Sequence, residues 1–160
     1  MTTTEADKLV TFRLGEDLFA ADIYSVERVL RYTVPTPVPD MPEYIEGVMD
    51  YQGHVVPIVN LRLRFELPGV EAGSETRTLV LNVAGEWIGI VVDGVTEVAS
   101  YDKAAVSAPP KLFRGLSAEY LKGIVRRGER LVIFLDVEQL LSSNERISLQ
   151  QAGAKELAHG

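Results

Sequence analysis

The stretch Tyr44-Ile45-Glu46-Gly47-Val48 returns as Tyr120-Leu121-Lys122-Gly123-Ile124, 76 residues further on (120 − 44). Both read tyrosine, aliphatic, charged, glycine, β-branched. Each is followed by a second glycine (Gly53; Gly128) and an apolar run (Val55-Val56-Pro57-Ile58-Val59; Leu131-Val132-Ile133-Phe134-Leu135). Each run ends in a polar residue and an aliphatic one (Asn60-Leu61; Asp136-Val137). Gly47 to Asn60 and Gly123 to Asp136 are both 13 steps. Upstream, Gly15-Glu16 precedes an apolar strand ending at Asp22, and Gly85-Glu86 precedes one ending at Asp93. A repeat of 70–76 residues present twice is too long and too rare for a solenoid. It predicts two related β units packed together, forming similar barrels, with Gly47/Gly123 and Asn60/Asp136 in equivalent positions.

At 160 residues with 46% apolar content, the chain suits one domain or two small, mutually dependent subdomains with an ample core. Sixteen basic residues against 23 acidic ones leave a net charge of −7. That field repels phosphate backbones, so nucleic acid is not an expected partner. Arg126, Arg127 and Arg130 read as an ordinary hairpin tip. The absence of cysteine removes disulfides and thiolate chemistry and is compatible with a reducing cytosol. Met1 to Asp7 carries neither a basic region nor an apolar one of the kind that makes a secretory signal. No apolar run approaches the roughly 20 residues a spanning helix requires. The expectation is a soluble cytoplasmic protein without direct membrane insertion.

Along the chain, residues 9–14 alternate, which predicts a half-buried strand. Gly15-Glu16-Asp17 turns it into a second strand over 18–21. A short turn after Asp22 leads into an extended run through Val26, Val29 and Leu30. The prolines at 35, 37, 39 and 42 make 34–42 an extended loop. Asp40, with Glu43 three residues on, predicts one helical turn over 42–46, ended by Gly47. A hairpin (48–59), a helical turn (60–65) and a glycine-containing loop (68–75) follow. The second unit repeats this grammar, with strands near 77–83, 86–92 and 95–101, a hairpin over 123–135 and a helical turn over 137–141. The tail from Ser143 is helix-prone but weakly amphipathic, which predicts a loosely docked or frayed end. Many short strands at close turn intervals, with no long crossover helix, indicate an all-β architecture of small barrels.

No constellation for catalysis emerges. The histidines are His54, in a hairpin turn, and His159, beside the C-terminus; a metal site needs clustered donors. No serine sits in a nucleophile elbow, and Gly85-Glu86-Trp87-Ile88-Gly89 matches neither a phosphate loop nor a dinucleotide fingerprint. Asp50 and Asp93 form a carboxylate pair only if the fold brings them together. The expected role is therefore binding to other proteins, without enzyme activity, cofactor or metal.

Several ordered segments resemble those of the CheW family, the coupling proteins of bacterial chemotaxis. They are F-x-L-G (12–15), D-I-x-x-V-x-x-V (22–29), I-x-G-V (45–48), G-x-V-V-P-I-V-N-L-R (53–62), I-V-V-D-G-V (90–95), E-Y-L-x-G (119–123) and L-V-I-F-L-D-V (131–137). The resemblance implies two five-stranded SH3-like barrels with a shared hydrophobic layer and a few short helices. It implies one domain over 9–141, built of intertwined units at about 9–65 and 77–141, with terminal extensions at 1–8 and 143–160. It also implies a non-catalytic adaptor between the cytoplasmic tips of chemoreceptors and the regulatory domain of the histidine kinase CheA. Rings containing other CheW-domain proteins are a further implication, as is recruitment to the inner face of the membrane through receptor arrays. The receptor groove of the family maps onto Val26, Val29 and the hairpin bearing Gly47 and Gly53. Gly89 and Gly123 complete the glycines at which a partner backbone would approach closely, or which serve only in turns and strand packing. Two positions depart from the family pattern: Gln52 stands where an arginine is usual, and Arg28 where an acidic residue is frequent. Guanidinium and amide are not interchangeable, so both positions bear on partner choice. An accessory chemosensory pathway, with a non-standard receptor or another CheW-domain protein as partner, is the second reading. A small-molecule-binding barrel or an enzyme is the third.

Overall fold

A computed structural model describes residues 7–108, 112–113 and 116–159. The first half supplies β1 (Asp7–Leu14), β2 (Asp17–Asp22), β3 (Val26–Arg31), β4 (Ile45–Tyr51) and β5 (His54–Asn60), then the single-turn α1 (Leu61–Arg64). The second half supplies β6 (Arg77–Val83), β7 (Glu86–Val92), β8 (Gly94–Tyr101) and β9 (Val106–Ser107). After the two-residue strands β10 (Leu112–Phe113) and β11 (Leu116–Ser117) come β12 (Leu121–Arg127), β13 (Arg130–Leu135) and α2 (Ser143–His159). Three-residue 3₁₀ turns at Ile23–Ser25, Lys103–Ala105, Ala118–Tyr120 and Val137–Gln139 join them.

The two repeats do not each close a barrel of their own; they exchange hairpins. One sheet runs β3-β6-β7-β5-β4 and the other β8-β1-β2-β13-β12-β9. Substituting β8, β1, β2, β13 and β12 for β3, β6, β7, β5 and β4 converts one order into the other. Each sheet therefore pairs a leading hairpin from one half with a closing hairpin from the other, through the parallel contacts β5–β7 and β13–β2. The six-stranded sheet curls strongly. Glu97 on β8 pairs with Arg127 on β12, although three strands lie between them in the sheet order. At about 4.8 Å per strand a flat sheet would hold such strands roughly 19 Å apart.

Repeat equivalence is visible hydrogen bond by hydrogen bond. Asn60 N donates to Tyr44 O at 2.7 Å and Asp136 N to Tyr120 O at 2.8 Å. The Asn60 side chain then accepts from Leu63 N, and the Asp136 side chain from Glu138 N, each capping the turn that follows. Matching bulges interrupt β4 between Ile45 and Gly47, and β12 between Leu121 and Gly123. In the leading hairpins Leu14↔Asp17 matches Val83↔Glu86, an offset of 69 (83 − 14). The Gly15-Glu16 and Gly85-Glu86 correspondence expected from sequence is thus one residue out of register. Gly15 (φ +60°) aligns with Ala84 (φ +51°). In the closing hairpins Tyr51↔His54 matches Arg127↔Arg130, so Gln52 aligns with Gly128 and Gly53 with Glu129.

The shared layer is the main core. It takes Phe12, Leu14 and Phe19 from one sheet and Leu79, Leu81, Ile88 and Ile90 from the other, with Leu140 and Leu141 beyond β13. A smaller cluster of Leu9, Ala20, Val125, Val132 and Phe134 fills the six-stranded barrel. Because β1 lies between those two clusters, Leu9, Val10, Thr11 and Phe12 are all buried. The half-buried strand read from alternation is therefore buried on both faces.

Two local expectations are overturned. Residues 42–46 form no helical turn: Ile45 N donates to Pro42 O at 2.9 Å and β4 begins there, while Asp40 sits at φ +60°. Glu46 accepts from Asn60 Nδ2 at 2.9 Å and from the Tyr32 hydroxyl, which holds the segment extended. The C-terminal tail is docked, not frayed. Ser142 and Glu145 satisfy each other's backbone N–H in a capping box that starts α2. Leu149 enters the shared layer, and a Cβ on Gly153 would lie 2.6 Å from Val48 Cγ1 and 2.8 Å from Val55 Cγ1. The low amphipathicity of α2 reflects a glycine contact of this kind, which a hydrophobic pattern does not register.

Candidate partner-binding surface

β3 forms one edge of the five-stranded sheet and pairs only with β6. Asp22 launches it by accepting from Tyr24 N at 2.9 Å, which caps the turn at Ile23–Ser25. A bulge between Val26 and Arg28 breaks the strict alternation of the strand. Val26 is half-buried and packs on the shared layer. Arg28 and Val29 are exposed, Val29 at 42%, and Tyr24 in the preceding turn is 78% exposed.

The β4–β5 tip lies at the same end of the sheet as the β6–β7 turn. Gln52 (φ +51°) and Gly53 (φ +81°) form its two-residue turn, both in the left-handed region that a type I′ hairpin demands. Gly53 N donates to Asp50 Oδ1 at 2.9 Å, and no atom lies within 4 Å of where a Gly53 Cβ would be. The Trp87 ring anchors the tip, with centroids 5.2 Å from Tyr51 and 4.5 Å from His54. Trp87 was not singled out by sequence reading. Its role depends on the parallel β5–β7 pairing, which no local pattern announces.

Three of the expected partner-facing glycines serve the chain itself. A Cβ on Gly47 (φ +146°) would fall on the Thr36 carbonyl, 2.7 Å from its carbon, because Thr36 and Val48 exchange both backbone hydrogen bonds. A Cβ on Gly123 would lie 2.6 Å from Ser107 O, in the equivalent place against β9. A Cβ on Gly89 would meet Ile58 Cδ1 at 2.6 Å across the parallel pair. These glycines permit close approach by neighbouring strands of this chain.

Two polar clusters brace the fold. Arg62 grips Asp93 through Nε at 3.0 Å and Nη2 at 2.5 Å, and Gly15 N donates to the same carboxylate at 2.7 Å. Burial pushes the Asp93 pKa up, but the bonds from Arg62 and Gly15 and the charges of Arg62 and Arg13 outweigh it, holding the carboxyl below its usual range. Asp50 binds the β4–β5 turn and Asp93 this node at the other end of the sheet, so the two form no carboxylate pair. Arg64 lies 4.3 Å from the Tyr44 ring centroid and 5.8 Å from that of Tyr120, the two repeat-equivalent tyrosines, and pairs with Glu145 at 3.4 Å. Burial raises the Glu145 pKa, yet the Ser142 N–H, the Tyr44 hydroxyl and the Arg64 charge bring it below its ordinary value. Among the described residues no three His, Cys, Asp or Glu side chains cluster as a metal site, and no helix is long and apolar enough to cross a membrane.

The model of the CheW-like domain matches residues 8–145. A chemotaxis protein CheW of Treponema pallidum is 37% identical over 88% of this chain and 85% of its own length. A chemotaxis protein CheW of Klebsiella aerogenes is 37% identical over 89% and 86%. Protein FrzA of Myxococcus xanthus is 32% identical over 82% and 83%. The crystal structure of the scaffolding protein TtCheW from Thermoanaerobacter tengcongensis superposes with a TM-score of 0.83 at 26% identity, covering 89% of this chain and 92% of that one. The chain belongs to the CheW-like domain family.

Proposed function

We infer that this protein is a non-catalytic adaptor that couples chemoreceptor tips to the regulatory domain of the histidine kinase CheA, in the cytoplasm, within receptor arrays at the inner face of the membrane. The observation that carries this reading is the match to chemotaxis CheW proteins over nearly the whole chain, on a fold whose open features are edges and hairpin tips. The receptor-facing surface comprises Val26, Arg28, Val29, Gln52 and Gly53, with Gly47, Gly89 and Gly123 as framework. An apolar half-buried strip with polar flanks suits a receptor helix laid along it. Calorimetry against the CheA regulatory domain, without nucleotide or metal, tests the reading. Binding in the micromolar range or tighter is expected; no binding at high micromolar concentration, or a metal requirement, overturns it. Arg28 and Gln52, the two departures from the family pattern, support an accessory pathway as the second reading. Exchanging receptor tips separates the two.

A further inference from the structure

The hairpin exchange makes β3 and β8 structural equivalents, down to their bulges. Val26↔Leu81 and Arg28↔Val80 on one sheet correspond to Val95↔Phe12 and Glu97↔Thr11 on the other. Arg28 therefore occupies the position of Glu97, and Tyr51 that of Arg127. In the six-stranded barrel those two positions hold the Glu97–Arg127 ion pair, which bridges β8 and β12 within the chain. In the five-stranded barrel the pair is absent. Tyr51 turns to Trp87, and Arg28 is exposed and makes no hydrogen bond or ion pair among the described residues. Arg28 is thus an exposed guanidinium without an ion-pair partner among the described residues, on a chain of net charge −7 and next in sequence to Val29, which is 42% exposed. Guanidinium presents a planar fork suited to a carboxylate, and a complex that covers Val29 and the Arg28 stem lowers the local dielectric around that pair.

We propose that Arg28 receives a carboxylate from the partner helix laid along β3, so that this protein selects chemoreceptor tips that are acidic at that contact. The inference rests on the adaptor reading and names the chemistry of its partner. The carboxylate takes, with the charges reversed, the place that Arg127 fills for Glu97 within the other barrel. A tip bearing a basic residue there sets two cations face to face and is rejected, which makes Arg28 an element against wrong partners as well as for the right one.

The test uses the full chain and a soluble chemoreceptor-tip fragment in two series, with Glu or Lys placed at one exposed position at a time. For the wild type, at least one position should show about tenfold tighter binding with Glu than with Lys, and the gap should shrink as salt rises. Arg28→Glu should invert the preference at that position, and Arg28→Ala should abolish it. Glu97→Lys, at the equivalent site of the other barrel, should leave it unchanged. A preference that survives Arg28→Glu, or no Glu/Lys difference at any position, overturns the inference. If the CheA regulatory domain still binds in that case, the adaptor reading stands; if neither receptor tip nor kinase domain binds, both fall.

Discussion

The two barrels share a strand order and differ at their mouths. The six-stranded barrel is bridged by Glu97 and Arg127, has its own inner cluster around Phe134, and turns its β12–β13 hairpin with Gly128 in the left-handed position. The five-stranded barrel gives Arg28 no ion-pair partner among the described residues, gathers Tyr51, His54 and Trp87 at its tip, and forces a non-glycine residue, Gln52, into that same backbone conformation. At this pair of equivalent positions the six-stranded barrel matches its charges internally, while the five-stranded one shows an exposed cation and a non-glycine turn residue at positive φ. Residual strain and unpaired charge persist where the surroundings over-determine them or where function uses them. In the proposed function the five-stranded barrel is the receptor-facing half, and this difference is what would set its specificity.

The largest expected effect tests whether the equivalent glycines are equally demanding. Gly47→Ala drives a Cβ into the Thr36 backbone at φ +146°, and neither backbone nor dihedral can yield cheaply. We expect a loss of about 3 kcal/mol or more, read by urea denaturation. Gly123→Ala meets the Val106 side chain and Ser107 O without a left-handed φ, so about 2 kcal/mol is expected. Equal costs would show that the Thr36 segment adjusts as freely as β9.

Val26 and Val95 give a sharper comparison, because both are half-buried against the shared layer at equivalent bulges. Val26→Asp should weaken receptor binding by roughly 2 kcal/mol or more, since a carboxylate would be desolvated without a partner. Val95→Asp should cost similar stability and leave receptor affinity unchanged. Loss of binding from both variants would mean that the effect is unfolding and not contact.

The repeat-equivalent residues were legible because their spacing is fixed by backbone hydrogen bonds: 13 steps carry the chain from the bulge glycine to the capping Asn60 or Asp136 in either half. Strand positions were legible for the same reason, since turn residues at short intervals leave few alternatives. The hairpin exchange was not. Which β6–β7 neighbour β5 chooses depends on a long-range parallel pairing that leaves only a small residue opposite a large one, Gly89 at Ile58 and Ala20 at Phe134. Glycine matching alone misaligned two turns, because type I′ and II′ hairpins need positive φ at different places. The docking of α2 depends in part on the absence of a side chain at Gly153, the Trp87 contacts follow from the parallel β5–β7 pairing, and the equivalence of Arg28 with Glu97 emerges only when the two sheets are aligned.

The acid limb tests the ion pairs that brace both halves. Asp93 and Glu145 are held below their ordinary values of 3.8 and 4.5, so the unfolded chain takes up protons first as pH falls. Their contribution is complete above the unfolded values and is lost as pH drops through the lower folded ones. Asp93→Asn and Glu145→Gln should each lower the urea midpoint near neutral pH and flatten its fall in acid. A variant with the wild-type slope below about pH 4 would show that its carboxylate is not linked to folding.

The smallest effect concerns Gln52, where turn strain and partner choice meet. A non-glycine residue in the left-handed region costs roughly 1 kcal/mol, and the equivalent Gly128 does not bear that cost. Gln52→Gly should therefore stabilise the protein by about 0.5–1 kcal/mol. Gln52→Arg keeps the same backbone cost and replaces one exposed polar side chain by another, so stability should stay within about 0.5 kcal/mol. Binding separates the two variants. Arginine restores at the tip the fork usual in the family, so it should improve binding to an ordinary chemoreceptor tip, whereas glycine should not. The pairing with Arg28 is then measurable: if both residues face one receptor helix, Gln52→Arg with Arg28→Glu should exceed the sum of the single effects on that tip. Strict additivity would place them on separate contacts. A Gln52→Gly variant no more stable than wild type would remove strain as the reason this turn differs from its twin.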